Sequence, residues 1–247
     1  EILIGLVGSE MCIRDRADKD KTNSEMLQYY GMWVHQIKTP IAAMHLLLQT
    51  DLSMAADDES EEEIYFRVSE LKKELSNELF RIEQYTEMAL EYQRVQSESN
   101  DFVLGKIKLD KVIRESIRKY AKIFIRKKLS MHYEGTDIVV ASDEKWLSFI
   151  IEQILSNAIK YTKAGSITIN VLPNALNKIV CLEIADEGIG ISAEDIPRVF
   201  EKGYTGYNGH ENKSSTGIGL YLCKQTADKL GHRLEIESEK KKGTKVR

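Results

Sequence analysis

A chain of 247 residues, 42% of them hydrophobic, is long enough for two modest domains with a core each. Its formal net charge of -4 argues against a nucleic-acid binder, because phosphate binding calls for a basic surface. Cys12, Cys181 and Cys223 form no CxxC pair, which gives neither a zinc site nor a disulfide framework and fits a reducing compartment.

Residues 1–16, EILIGLVGSEMCIRDR, show neither the heptad seam that follows nor the features of a signal peptide, and are read as a non-native leader. No apolar run reaches the roughly eighteen residues that span a bilayer. From about Ser24 to Leu52 apolar residues recur at Leu27, Tyr30, Val34, Ile37, Ile41, Met44 and Leu48, alternating steps of three and four. That is the seam of a helix packing on other helices. His35 lies one step off the seam and should face solvent. Pro40 lacks an N–H and crowds the carbonyl of Gln36, so the helix should bend or loosen beside His35. Ser53 to Ser60 makes a turn, and Ser60 with Glu63 spells a capping box at the head of a second helix. This helix carries Ile64, Val68, Leu71, Leu75, Ile82, Tyr85, Ala89 and Tyr92 along its seam, with Leu79 beside the irregular position Glu78. Two helices with one stripe each bury those stripes poorly alone, and two such hairpins in a four-helix bundle would bury them, so a homodimer is expected.

The polar residues Gln96 to Asp101 close the hairpin and the rhythm changes. Phe102 to Leu109 reads as a strand, Asp110 to about Lys127 as a helix with a basic outer face, and Leu129 to Tyr133 and Asp137 to Ala141 as short strands. Ser142 or Asp143 caps a helix running through Lys160. Ser166 to Leu172 and Lys178 to Asp186 form a hairpin, and Gly203 to Thr216 is a polar loop with three glycines. A helix from about Ile218 to Leu230 and strands at Arg233 to Ser238 and from Thr244 complete an α+β two-layer sandwich, which stops at Arg247 inside a strand. The domains expected are thus 1–16 leader, 17–98 helical hairpin and 99–247 sandwich, truncated at its C-terminus.

The box WVHQIKTP, with His35, Lys38, Thr39 and Pro40 on a heptad helix, resembles the phosphoacceptor box of sensor histidine kinases. Its wording is similar to the Bacillota subgroup that senses cell-envelope stress and antimicrobial peptides. Four stretches between Phe102 and Arg247 resemble the ATP-binding boxes of the histidine kinase, gyrase, Hsp90 and MutL superfamily. In EQILSNAIKYT the resemblance assigns Asn157 an oxygen to magnesium, and Lys160 and Tyr161 the phosphate and adenine sides of the pocket. In ADEGIGI it assigns Asp186 the adenine amino group, while Gly188 and Gly190 let backbone approach the base. Phe200 begins a further box, Gly203 to Thr216 corresponds to an ATP lid, and Gly217, Gly219 and Leu220 in TGIGLYL open a helix whose free N–H groups suit phosphate. Gly243 and Thr244 match the last glycine box. The resemblance implies ATP and Mg2+ as cofactors, a homodimer, a cognate response regulator, and a cytoplasmic fragment of a cell-membrane receptor in which a membrane transporter or sensor component is a further partner.

The implied reaction transfers the ATP γ-phosphoryl group to a ring nitrogen of His35 and onward to an aspartate of the regulator. In its neutral form the imidazole keeps a lone pair on one ring nitrogen for in-line attack. Thr39, four residues on, matches a position that orients a hydrolytic water in kinases that also dephosphorylate their regulator. Two positions depart from the family pattern. Gln36 stands where many relatives carry an acid that takes the ring proton, and an amide is no such base. Gln153 stands where a second asparagine is common, and still offers an oxygen to magnesium. His45, His132, His210 and His232 share no ligand spacing and read as surface or packing residues, as Trp33 and Trp146 read as packing aromatics. Two alternatives stay open: an ATP hydrolase of the same superfamily, for which Glu152 is the nearby carboxylate, and a non-catalytic dimeric docking module, suggested by Gln36.

Overall fold

The computed structural model describes residues 26–27, 29–50, 60–97, 102–174, 179–206 and 216–247. The chain divides into two compact units, Glu1–Glu91 and Tyr92–Arg247. The leader read at residues 1–16, the core of the turn at 51–59 and most of the glycine-bearing loop lie outside the described residues.

In the first unit, helix α1 covers residues 29–50 and helix α2 begins at Glu61 and runs to Gln96. The start of α2 is fixed by the capping box: the Ser60 N–H and hydroxyl both donate to the Glu63 carboxylate, at 3.0 and 2.7 Å, and the Glu63 N–H returns to Ser60 Oγ at 3.3 Å. These bonds hold the Glu63 carboxyl below the usual range. Glu61, Glu62 and Glu63 place negative charge at the positive end of the helix dipole. Helix α1 remains helical through Pro40, which is itself buried. Tyr29 and Trp33 are buried too, the indole lying 5.9 Å from the Tyr29 ring and 5.8 Å from Tyr30. The seam residues Tyr30, Val34, Ile41 and Leu48 stay exposed, as do Ile64 and Val68 of α2. Ile41, Met44 and Leu48 face Val68, Leu71, Leu75 and Leu79 across an open groove of about 600 Å³.

The second unit holds strand β1 (Gly105–Lys108), helix α3 (Leu109–Lys127), strands β2 (Ser130–His132) and β3 (Val139–Ser142), helix α4 (Glu144–Tyr161), and strands β4 (Ser166–Asn174) and β5 (Ile179–Asp186). A 3-10 turn at Ile196–Arg198, helix α5 (Gly219–Lys229) and strands β6 (Ile236–Glu239) and β7 (Gly243–Val246) follow. The main sheet runs in the order β2, β4, β5, β7, β6, with β2 parallel to β4 and every other pair antiparallel; β1 and β3 pair apart from it. Helix α4 packs on α3, α5 and β5, so its apolar residues Ile151, Leu155 and Ile159 are buried against both layers.

Several boundaries differ from the sequence reading for identifiable reasons. The strand expected over Phe102 to Leu109 contracts to Gly105–Lys108 because Phe102 packs edge-on against Trp146, with centroids 4.6 Å apart, and the Val103 N–H donates to Asp143 Oδ2 at 2.8 Å. Asp143, not Ser142, caps α4: its Oδ1 accepts from the N–H groups of Lys145 and Trp146. Ser142 ends β3, with its hydroxyl 2.8 Å from His232 Nε2.

Candidate phosphoacceptor helix and nucleotide site

On α1, the i, i+4 repeat puts His35 and Thr39 on one face, and both side chains are exposed. Gln36 is half-buried. The Thr39 hydroxyl donates to the His35 carbonyl at 3.1 Å, a back-bond common for threonine inside a helix. Its proton is therefore committed to backbone, and its lone pairs remain outward as acceptors.

In the second unit, Asp186 ends β5 and turns the chain into the glycine loop. Its carboxylate accepts from the Gly188 N–H at 2.8 Å and from the Thr244 N–H. Burial outweighs these two bonds and pushes the Asp186 carboxyl up to about 6. Gly188 is needed because a Cβ there would stand 2.6 Å from Asp186 Oδ1 and 2.7 Å from the Tyr161 carbonyl oxygen. Gly190 adopts φ +67°, and a Cβ would fall 2.0 Å from the Glu239 carbonyl oxygen. The C-terminal end of α4 reaches the same loop: the Ile189 N–H donates to the Tyr161 carbonyl at 3.2 Å.

Helix α4 also carries Gln153, Asn157 and Lys160. Gln153 is buried, and a Cβ on Gly219 would meet its Oε1 at 2.7 Å, so this amide lies against the first residue of α5. Asn157 is half-buried one turn further on. Lys160 Nζ sits 5.5 Å from the Tyr161 ring centroid. Phe200, Gly217 and Leu220 are half-buried, and the loop that begins at Gly203 is closed at its base by the Gly203 N–H donating to the Gly217 carbonyl at 3.0 Å. The structure thus joins Asp186, Gly188, Tyr161 and Thr244 in one network and sets Gln153 against Gly219.

Glu152, one residue from Gln153, points the other way. Its carboxylate pairs with Lys119 Nζ at 2.6 Å on the α3 side of α4, so the hydrolase alternative loses its carboxylate. Among the described residues no three His, Cys, Asp or Glu side chains gather into a cation site. A divalent ion would rest on amide oxygens and nucleotide phosphates, a donor set that suits a hard, water-retaining cation such as magnesium.

The sequence reading missed two contributors. Lys127 donates to the Ile159 carbonyl at 2.5 Å, tying down the last turn of α4 before Tyr161, and burial lowers its pKa. Ser238 bonds to both glycine segments. Neither carries a local signal, since each acts through a partner more than thirty residues away in one case and across a sheet in the other.

Residues 142–247 match the family model described as Histidine kinase-, DNA gyrase B-, and HSP90-like ATPase, which sets the class of the second unit. Over most of its length the chain is similar to curated sensor histidine kinases. It is 34% identical over 222 residues to the sensor histidine kinase YxdK of Bacillus subtilis, covering 89% of this chain and 63% of that protein. It is 35% identical over 212 residues to the sensor protein BceS of the same organism, covering 86% of this chain and 58% of the relative. The chain therefore spans about three fifths of the length of these curated relatives. The solved Acinetobacter baumannii histidine kinase AdeS shares the fold, with a TM-score of 0.58 at 20% identity over 86% of this chain and 95% of that one.

Proposed function

We propose that this chain is the catalytic core of a sensor histidine kinase, in which ATP phosphorylates His35 and the phosphoryl group passes to an aspartate of a response regulator. Residues 17–98 serve as the dimerisation and phosphoacceptor domain and 99–247 as the ATP-binding domain. Asp186, with Gly188 and Gly190, receives the adenine, Thr244 and Tyr161 flank it, and Asn157, Lys160, Gly217, Gly219 and Leu220 serve the phosphate end, with Phe200 at the loop that precedes them. Asn157 and Gln153 offer magnesium their amide oxygens; that ion, when bound, neutralises charge on the phosphate oxygens.

The chemistry asks little of the protein beyond placement. A neutral ring nitrogen of His35 forms the N–P bond as the bond from the γ-phosphorus to the β,γ-bridging oxygen breaks, ADP leaves, and the ring proton passes to water, because Gln36 cannot accept it. The exposed lone pairs of the Thr39 hydroxyl can hold a water next to the phosphohistidine or phosphoaspartate, which supports a phosphatase role as well. The open groove between α1 and α2 and the exposed seam support a homodimer. The intact protein is proposed to reside in the cell membrane with a sensing or transporter partner.

The observation that carries this reading is an exposed histidine on a helix, in the same chain as a half-buried aspartate held between two glycine segments. Incubation with magnesium and radiolabelled ATP tests it. Label that withstands alkali, is lost in acid and is absent from His35→Gln is the expected result. Release of free phosphate without protein label would replace the kinase with a hydrolase, and regulator binding without label would leave a docking module.

A further inference from the structure

Cross-strand partners in an antiparallel sheet place their side chains on the same face. Ser238 pairs with Thr244, Thr244 with Asp186, and Asp186 with Ile167, which is fully buried. These residues therefore form one row across β6, β7, β5 and β4 on the face that carries the core. Ser238 Oγ lies 2.8 Å from the Ile191 nitrogen, 2.8 Å from the Gly243 carbonyl oxygen and 2.9 Å from Thr244 Oγ1. It is thus bonded at once to the segment after the Asp186 loop and to the last glycine segment.

Proton counting fixes the direction of these bonds. A serine hydroxyl has one proton and two lone pairs. The Gly243 carbonyl has no proton, so it takes the one from Ser238, and the Ile191 N–H donates to a lone pair. The remaining lone pair can only accept, and Thr244 is then the donor in the 2.9 Å contact. With its proton committed to Ser238, the Thr244 hydroxyl offers acceptors alone, next to the Asp186 carboxylate that its own N–H holds.

We propose that Ser238 is a specificity-determining positioning residue: by taking the Thr244 proton it makes the base-facing row acceptor-only, selecting a nucleobase with an exocyclic amine over one with a carbonyl. This rests on Asp186 receiving the base, as proposed above. A 6-amino purine donates into such a row. The C6 oxygen of a 6-oxo purine meets only lone pairs there. Without Ser238 the Thr244 hydroxyl rotates and donates to the oxo group, so discrimination falls while the carboxylate and its backbone donors stay in place.

Inosine triphosphate carries oxo for amino at C6 and a proton on N1, and the N1 change is common to every variant. Titration of the full chain and its variants with each nucleotide therefore reads the effect at C6 as a change in the ratio between them. Ser238→Ala is expected to lower the ATP to inosine triphosphate affinity ratio about fivefold, the worth of one ordinary hydrogen bond. Ser238→Thr, which keeps the hydroxyl, restores it. Ser238→Cys, a near-isostere whose sulfur is only a weak acceptor for the Thr244 proton, gives the same loss if Ser238→Ala does not fold. Equal weakening of both nucleotides, or an unchanged ratio in folded variants, overturns the role of Ser238 and leaves the nucleotide site standing. Failure of the unmodified chain to bind ATP overturns both.

Discussion

In the second unit Ile113, Ile151, Leu155, Ile167 and Leu222 are completely buried, whereas in the first Val34, Leu46, Ile64, Phe66 and Val68 stand exposed and burial is concentrated near its two ends, at Tyr29, Trp33 and Pro40 and at Met88 and Glu91. A sheet covered by helices closes a core within one chain, because each layer offers a broad apolar face. A hairpin of two helices offers only two narrow stripes, and here they border an open groove. The contrast assigns the units different requirements: the second unit buries its core within one chain, and the exposed stripes of the hairpin are where the proposed second copy would sit. Each large side chain sealed by that copy contributes about 1.5–3 kcal/mol, so a stripe of them is ample to drive association.

The largest expected effect comes from charging that stripe. Val34 is half exposed in the single chain and sits on the seam of the first unit, whereas the residues proposed to bind nucleotide belong to the second. Val34→Asp would place a carboxylate inside a paired bundle, where an unpaired charge is strongly unfavourable. Sedimentation should then report a monomer, while ATP binding by the second unit remains within about twofold, as befits a site that shares no residue with the change. A dimer that persists would show that the exposed seam is not where the second copy sits.

A smaller effect separates fold from site inside the second unit. Burial raises the Asp186 carboxyl to about 6, above its value in an unfolded chain, so the folded state holds the proton more tightly. The stability associated with the protonated form is present in acid and lost as pH rises through about 6; above that, the buried charge costs the fold a constant amount. Asp186→Asn is expected to raise the Tm of this unit at pH 8 and to leave it nearly unchanged at pH 4, while weakening ATP about tenfold for the lost charged acceptor. In the unmodified chain, ATP affinity should climb with pH through about 6, since adenine donates best to the ionised carboxylate. A Tm gain equal at both pH values would show that the gain does not come from this titration.

What the sequence made legible was local. The capping box, the helix periods, the hairpin of β4 and β5 and the strand-to-glycine turn at Asp186 all rest on residues a few positions apart, where spacing alone sets geometry. What escaped it was long-range. Phe102 and Val103 read as strand until Trp146 and Asp143 claim them, and Ser142 reads as a cap until His232 stands beside its hydroxyl. Glu152 and Gln153 are neighbours in sequence, yet one turns to Lys119 and the other to Gly219, a choice made by which helix lies on each side. The row from Ser238 to Asp186 is set by strand register, which no local pattern encodes.

The smallest expected effect returns to the hairpin. Ser60→Ala removes the hydroxyl that accepts the Glu63 N–H and donates to its carboxylate, leaving only the Ser60 backbone N–H bond of the box. Loss of an N-cap side chain ordinarily costs about 1 kcal/mol, and this helix begins where the hairpin has little else to hold it, since Ile64, Tyr65 and Phe66 are all exposed. The first unit should therefore melt a few degrees earlier and the second not at all, by the size relation between small stability changes and Tm. The sign with pH follows from Glu63, whose carboxyl is held below the usual range by its bonds to Ser60. Its contribution is present above the ordinary carboxylate value and disappears as pH falls through its own lowered value. The gap between Ser60→Ala and the unmodified chain should accordingly narrow in acid, and a gap that stays constant down to pH 3 would mean that the hydroxyl acts on the backbone alone and the carboxylate is a bystander.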